Sequence, residues 1–136
     1  MARILVIEDN TMNMKHVVML LKHAGHVTLS AGDAETGLIL ARTGKPDLIL
    51  MDILLPGMDG LAAAALLKAD PATAAIPIIA LTASLTQDDE SKARAAGCDA
   101  YIAKPFHREE LDVAITELLQ ASIEAALLKT QPPTGG

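Results

Sequence analysis

Five short apolar runs recur along the chain, several of them apolar at consecutive positions, with amphipathic stretches between them. The runs at 3–7, 27–31, 47–51, 76–81 and 100–103 have the length of strands. A strand that is apolar on both faces needs cover on both, and a parallel sheet wrapped by helices supplies it. Helices are expected at about 12–24, 34–43, 60–68, 87–96 and 108–119, from their amphipathic spacing. Strand then helix, five times over, with right-handed crossovers, predicts an α/β protein with a doubly wound five-stranded parallel sheet of order 2-1-3-4-5.

The helix ends carry their own signals. Thr11, Asp33, Asp59 and Thr86 are expected N-caps, because a side-chain oxygen there can accept from the free amides of the first turn. Gly25, Gly44 and Gly97 stand where helices should stop in a left-handed residue. Asp88, Asp89 and Glu90 crowd the start of the fourth helix, where negative charge suits the helix dipole.

A chain of 136 residues fits one domain. We read residues 1–120 as that domain and 121–136 as a helical extension followed by a disordered tail, since 131–136 offers nothing apolar to bury. Tyr101 and Phe106 are the whole aromatic complement, too few for base-stacking platforms. Eleven Lys and Arg against 17 Asp and Glu give a net charge of −6, which repels phosphate backbones and argues against nucleic acid as a partner. The single cysteine, Cys98, has no intrachain partner and suits a reducing cytoplasm. No apolar run reaches the roughly 18 residues of a membrane span, so a cytoplasmic location without membrane attachment is expected.

In a doubly wound sheet, function sits at the carboxyl ends of the strands. Glu8 and Asp9 follow the first strand, Asp52 the third, Thr82 the fourth and Lys104 the fifth. The expected strand order brings Glu8, Asp9 and Asp52 into one crevice. Three carboxylates at close range repel one another unless a cation offsets them, and oxygen donors with open water positions suit Mg²⁺. A carboxylate beside Mg²⁺, with a hydroxyl from Thr82 and an ammonium from Lys104, is equipped for phosphoryl transfer to aspartate, with Asp52 as the nucleophile.

Four motifs stand in register: Ile7-Glu8-Asp9-Asn10, Leu50-Met51-Asp52-Ile53 with Pro56-Gly57-Met58-Asp59-Gly60, Leu81-Thr82-Ala83, and Tyr101-Ile102-Ala103-Lys104-Pro105-Phe106. Asp52 precedes Thr82 by 30 residues, and Thr82 precedes Lys104 by 22. The chain thereby resembles, from residue 3 to about 120, the receiver domain of bacterial two-component response regulators, which has the flavodoxin- or CheY-like fold. The resemblance implies a signalling protein rather than a metabolic enzyme, one that catalyses its own Mg²⁺-dependent phosphorylation and slow dephosphorylation. It makes Asp52 the phosphoacceptor, Thr82 and Lys104 the groups on the phosphoryl oxygens, and Glu8, Asp9, Asp52 and the Leu54 backbone carbonyl the Mg²⁺ ligands. Thr82 and Tyr101 would form the switch, and Lys104-Pro105 a cis peptide bond, chemically reasonable because X-Pro is the common place for one.

The local string from Glu8 to Lys15 is similar to receivers that work within phosphorelays. A histidine kinase or histidine phosphotransferase is the implied donor, a downstream protein the implied effector, and a monomer or weak dimer the expected state. Nothing after residue 119 is long enough for a DNA-binding or enzymatic module, so a stand-alone receiver is expected. The alternative is a receiver fragment of a hybrid kinase or transcription factor. A phosphoaspartate-forming hydrolase would want an Asp two residues after the nucleophile, where this chain has Leu54. An apolar Leu54 cannot orient an attacking water; Ser84 flanks the same path. Glu8-Asp9 is electrostatically wrong for a flavin phosphate.

On the first helix, 100° per residue places Asn13, Met14, Val17, Leu20, Leu21 and Ala24 on the buried face. Met12, His16, Met19 and His23 line the opposite side, and Met12, His16 and Met19 form an adaptable stripe suited to partner docking.

Overall fold

The computed structural model describes residues 2–83 and 86–130. Ser84 and the 131–136 tail lie outside the described residues. Among the described residues five strands and five helices alternate: β1 (Arg3–Ile7), α1 (Thr11–His23), β2 (Val27–Ala31), α2 (Ala34–Thr43), β3 (Leu48–Asp52), α3 (Gly60–Ala69), β4 (Ile78–Thr82), α4 (Gln87–Ala95), β5 (Ala100–Ala103) and α5 (Arg108–Thr130). All pairings are parallel, and the order is β2-β1-β3-β4-β5. This is the doubly wound sheet expected from the sequence.

Because side chains alternate across a strand, the sheet divides the core in two. Leu5, Ile7, Ile49, Met51, Ile78 and Ala80 face α2, α3 and α4, where Ala34, Ala41, Ala63, Ala64, Leu67 and Ala93 meet them. Ile4, Val6, Leu48, Leu50, Ile79 and Leu81 face α1 and α5, meeting Val17, Leu21, Leu111 and Ile115. Every residue of β3 and β4 is buried, which explains their unbroken apolar sequence.

Several local expectations are corrected. Asn10, not Thr11, caps α1, its Oδ1 accepting from the Asn13 N–H at 2.9 Å. Asp33, Asp59 and Thr86 cap α2, α3 and α4 as expected. Gly25 and Gly97 adopt positive φ after α1 and α4, but Gly44 stays right-handed at −85° and the left-handed residue is Lys45 at 47°. The fourth strand starts at Ile78 rather than 76, because residues 70–76 close turns onto Asp70 and Thr73. On α1, Val17 and Leu21 are buried and Met14 and Leu20 partly so, whereas Asn13 and Ala24, assigned to the buried face, are exposed. Asn13 lies in the first turn and Ala24 at the C-cap, the two ends of the helix.

The last helix runs unbroken from Arg108 to Thr130, so residues 121–130 are a continuation of α5. No helix among the described residues is long and apolar enough to cross a membrane.

Candidate functional site

The strand order reverses at β1, which has β2 on one side and β3 on the other, so the crevice opens where β1 and β3 end. Glu8 follows β1 and Asp52 closes β3, both buried, while Asp9 is exposed at the rim. One carboxylate oxygen from each of Glu8, Asp9 and Asp52 lies within 4.8 Å of the other two.

Lys104 enters this group from the end of β5. Its backbone N–H donates to the Thr82 carbonyl at 2.6 Å. Its ammonium donates to Glu8 Oε2 at 2.8 Å and to Asp52 Oδ2 at 3.1 Å. The Lys104–Pro105 peptide bond is cis. The other oxygens are also held: Glu8 Oε1 accepts from the Asn10 N–H at 3.1 Å, and Asp52 Oδ1 from the Leu54 N–H at 2.9 Å.

The electrostatics follow from this geometry. Burial pushes the Glu8 carboxyl above its ordinary range, while the hydrogen bonds from Lys104 and Asn10 pull the other way. Burial alone would lower the Lys104 ammonium, but its hydrogen bond to Glu8 and the charge of Asp52 outweigh that and hold it above its ordinary value. The lysine is therefore a fixed cation in the crevice.

Thr82 is buried at the end of β4, and Tyr101 is half-buried on β5, packed against the core on the α2–α4 side. Ala80 and Tyr101 face each other in register, and Thr82 pairs with Ala103. Leu54 is 67% exposed at the mouth. Of the stripe on α1, Met12, His16 and Met19 are all exposed.

Three contributors are not assigned a role by the sequence alone. Asn10 both caps α1 and binds Glu8; a small polar residue two after Glu8 is the available sign. Phe106 stacks on His16 at 6.1 Å with 17° between the rings, a contact between distant segments that periodicity does not reveal. Gly60 opens α3 against the end of β3, where a Cβ would stand 2.6 Å from the Asp52 carbonyl oxygen and 2.7 Å from the Ile53 Cα. Backbone cannot yield there, so only glycine lets α3 close on the Asp52 loop.

A doubly wound sheet with an acidic cluster and a lysine at the carboxyl ends of its strands has counterparts among known proteins. Residues 4–116 match the response regulator receiver domain family. The chain belongs to that family, the CheY-like receivers of two-component signalling. It is 43% identical over 103 residues to the polar-differentiation response regulator DivK of Brucella anthropi, covering 76% of this chain and 84% of that one. DivK of Brucella ovis gives the same identity and coverage. Among solved structures, the receiver domain of a sensor histidine kinase from Pseudomonas aeruginosa, with a magnesium ion coordinated in its active site cleft, superposes with a TM-score of 0.82 at 34% identity, covering 88% of this chain and 98% of that one. A CheY-like receiver domain protein from Methanospirillum hungatei gives 0.82 at 28% identity, covering 90% and 97%. Receivers of this family are signalling proteins, and the acidic cluster here is compatible with Mg²⁺.

Proposed function

We propose that the chain is a single-domain, cytoplasmic response regulator that accepts a phosphoryl group on Asp52 from a phosphohistidine on a kinase or histidine phosphotransferase, in a phosphorelay. The observation that carries this reading is the Lys104 ammonium held between Glu8 and Asp52, with Asp9 at the rim.

The residues fit a hard divalent ion. Three carboxylates offer oxygen donors within 4.8 Å of one another, one of them exposed towards solvent and an incoming phosphate. Asp9, Asp52 and the Leu54 carbonyl would hold Mg²⁺, with Glu8 acting through water. When bound, the ion supplies positive charge that lets an anionic phosphoryl group approach an anionic aspartate.

The rest is the work of the chain. An Asp52 carboxylate oxygen attacks phosphorus as the P–N bond to the donor imidazole breaks. The electron pair of that bond stays on the ring nitrogen, and Asp52 becomes an acyl phosphate. Lys104 offsets charge on the phosphoryl oxygens, and the Thr82 hydroxyl donates to one of them. That last bond draws Thr82 inward and lets Tyr101 turn towards the core, changing the surface of α4, β5 and α5 that a downstream protein reads. Leu54 orients no water, so the phosphoryl group is long-lived.

Intact-mass measurement after incubation with phosphoramidate and Mg²⁺ tests the reading. One phosphoryl mass is expected on the wild type and none on Asp52→Asn. Equal incorporation in the variant, at the wild-type rate, would overturn the assignment.

A further inference from the structure

His16 stands on the exposed side of α1, yet its ring is not free: it stacks on Phe106, with centroids 6.1 Å apart and 17° between the planes. That is an offset stacked geometry. The two residues belong to the two segments that carry Glu8 and Lys104. Phe106 lies two residues past Lys104, across a proline that has no N–H to anchor the chain. His16 lies six residues past the Asn10 cap, in the second turn of α1, and the Asn10 N–H donates to Glu8 Oε1.

The contacts close a circuit. Glu8 binds Asn10, which starts α1; α1 presents His16; His16 stacks on Phe106; and Lys104, two residues before it, returns to Glu8 Oε2 at 2.8 Å. His16, Phe106 and Lys104 line the same groove of about 420 Å³, with Asn13, Val17 and Ala83.

We infer that His16 is a positioning residue for phosphoryl transfer: its stack on Phe106 holds the segment after β5 so that the Lys104 ammonium stays beside Asp52. The inference rests on the phosphoacceptor reading above. It differs from a docking role for the exposed face of α1, because a docking residue acts only on a protein donor. A positioning residue acts on every donor, including one too small to touch α1.

The test uses the full chain, Mg²⁺ and phosphoramidate, with the rate of phosphoryl incorporation measured by intact mass. His16→Ala should slow incorporation about three- to tenfold, the scale set by loss of one aromatic pair. His16→Phe, which keeps the stack and discards the imidazole, should restore the wild-type rate. His16→Ala combined with Phe106→Leu should be no slower than the worse single variant, because both remove the same contact. Thermal melts of each variant report folding separately. A wild-type rate for His16→Ala, no rescue by His16→Phe, or fully additive losses would each overturn the inference. If the wild type itself takes no phosphoryl group, the phosphoacceptor reading fails instead, and the two failures are distinct.

Discussion

Lys104 and Glu8, 96 positions apart in sequence, meet at 2.8 Å with only 1% of the Glu8 side chain and 18% of the Lys104 side chain exposed. The lysine thus has a structural duty in the resting molecule, as the counter-charge of a carboxylate that burial would otherwise disfavour.

The consequence is testable as stability. Lys104→Met leaves Glu8 buried without its cation and should cost about 3 kcal/mol at neutral pH, measured by urea unfolding without divalent metal. Adding Glu8→Gln removes the uncompensated charge while keeping an acceptor for the Asn10 N–H. The double variant should recover at least half of the loss; a double variant no more stable than Lys104→Met would refute the pairing argument.

His26 predicts a pH dependence. Its Nδ1 accepts from the Ala2 N–H at 3.2 Å, which requires that nitrogen to be unprotonated. Burial is the main reason its pKa lies below the ordinary histidine value. The unfolded chain therefore binds this proton more readily than the folded one. The contribution to stability is present above about pH 6.5 and is lost as pH falls through the folded pKa. Unfolding free energies between pH 8 and 5 should decline for the wild type and decline less for His26→Gln. Parallel curves would remove His26 from the account.

The sheet was legible because its signal is local: consecutive buried positions give β3 and β4 their runs, and the site residues follow directly on the strand ends. The misreadings have physical causes. Asn10 and Thr11 are both good caps, and which one serves depends on Glu8 accepting the Asn10 N–H, a contact made by the site. Gly44 looks like a left-handed stop, but the turn after α2 puts the positive φ one residue later, on Lys45. The His16–Phe106 stack and the Lys104–Glu8 pair join segments 90 or more residues apart, and no pattern within either segment announces them.

Tyr101 offers a direct view of the proposed switch, since the sequence holds one tyrosine and no tryptophan. The ring is half-buried on β5, in register with Ala80. If Thr82 moves inward on a bound phosphoryl mimic and Tyr101 follows, acrylamide should quench the tyrosine emission less after addition of Mg²⁺ and beryllofluoride. The size of the change is set by how much better the mimic binds one state than the other. Quenching that is identical in both states, with Asp52→Asn as the control for binding, would rule the rotation out.

The far end of α5 separates what the domain needs from what it carries. Leu111 and Ile115 are buried, and Ser122 and Ile123 still line a groove with Ala2, Ile76 and Pro77 at the amino ends of the strands. From Glu124 to Leu128 every residue is exposed, including Leu127 and Leu128 at 58% and 71%. Exposed leucines contribute little to folding, since their apolar surface is not removed from water. A chain ending after Ile123 should therefore unfold in urea within about 0.5 kcal/mol of the full protein. A chain ending after Gln120 also loses the part of Ile123 that packs on the groove and should be less stable by roughly 1 kcal/mol. Both should take phosphate on Asp52 from phosphoramidate at the full-length rate, because the cut lies at the opposite end of the sheet from Lys104. A large loss of stability in the chain ending after Ile123, or a slowed transfer in either, would show that the exposed turns of α5 belong to the working domain.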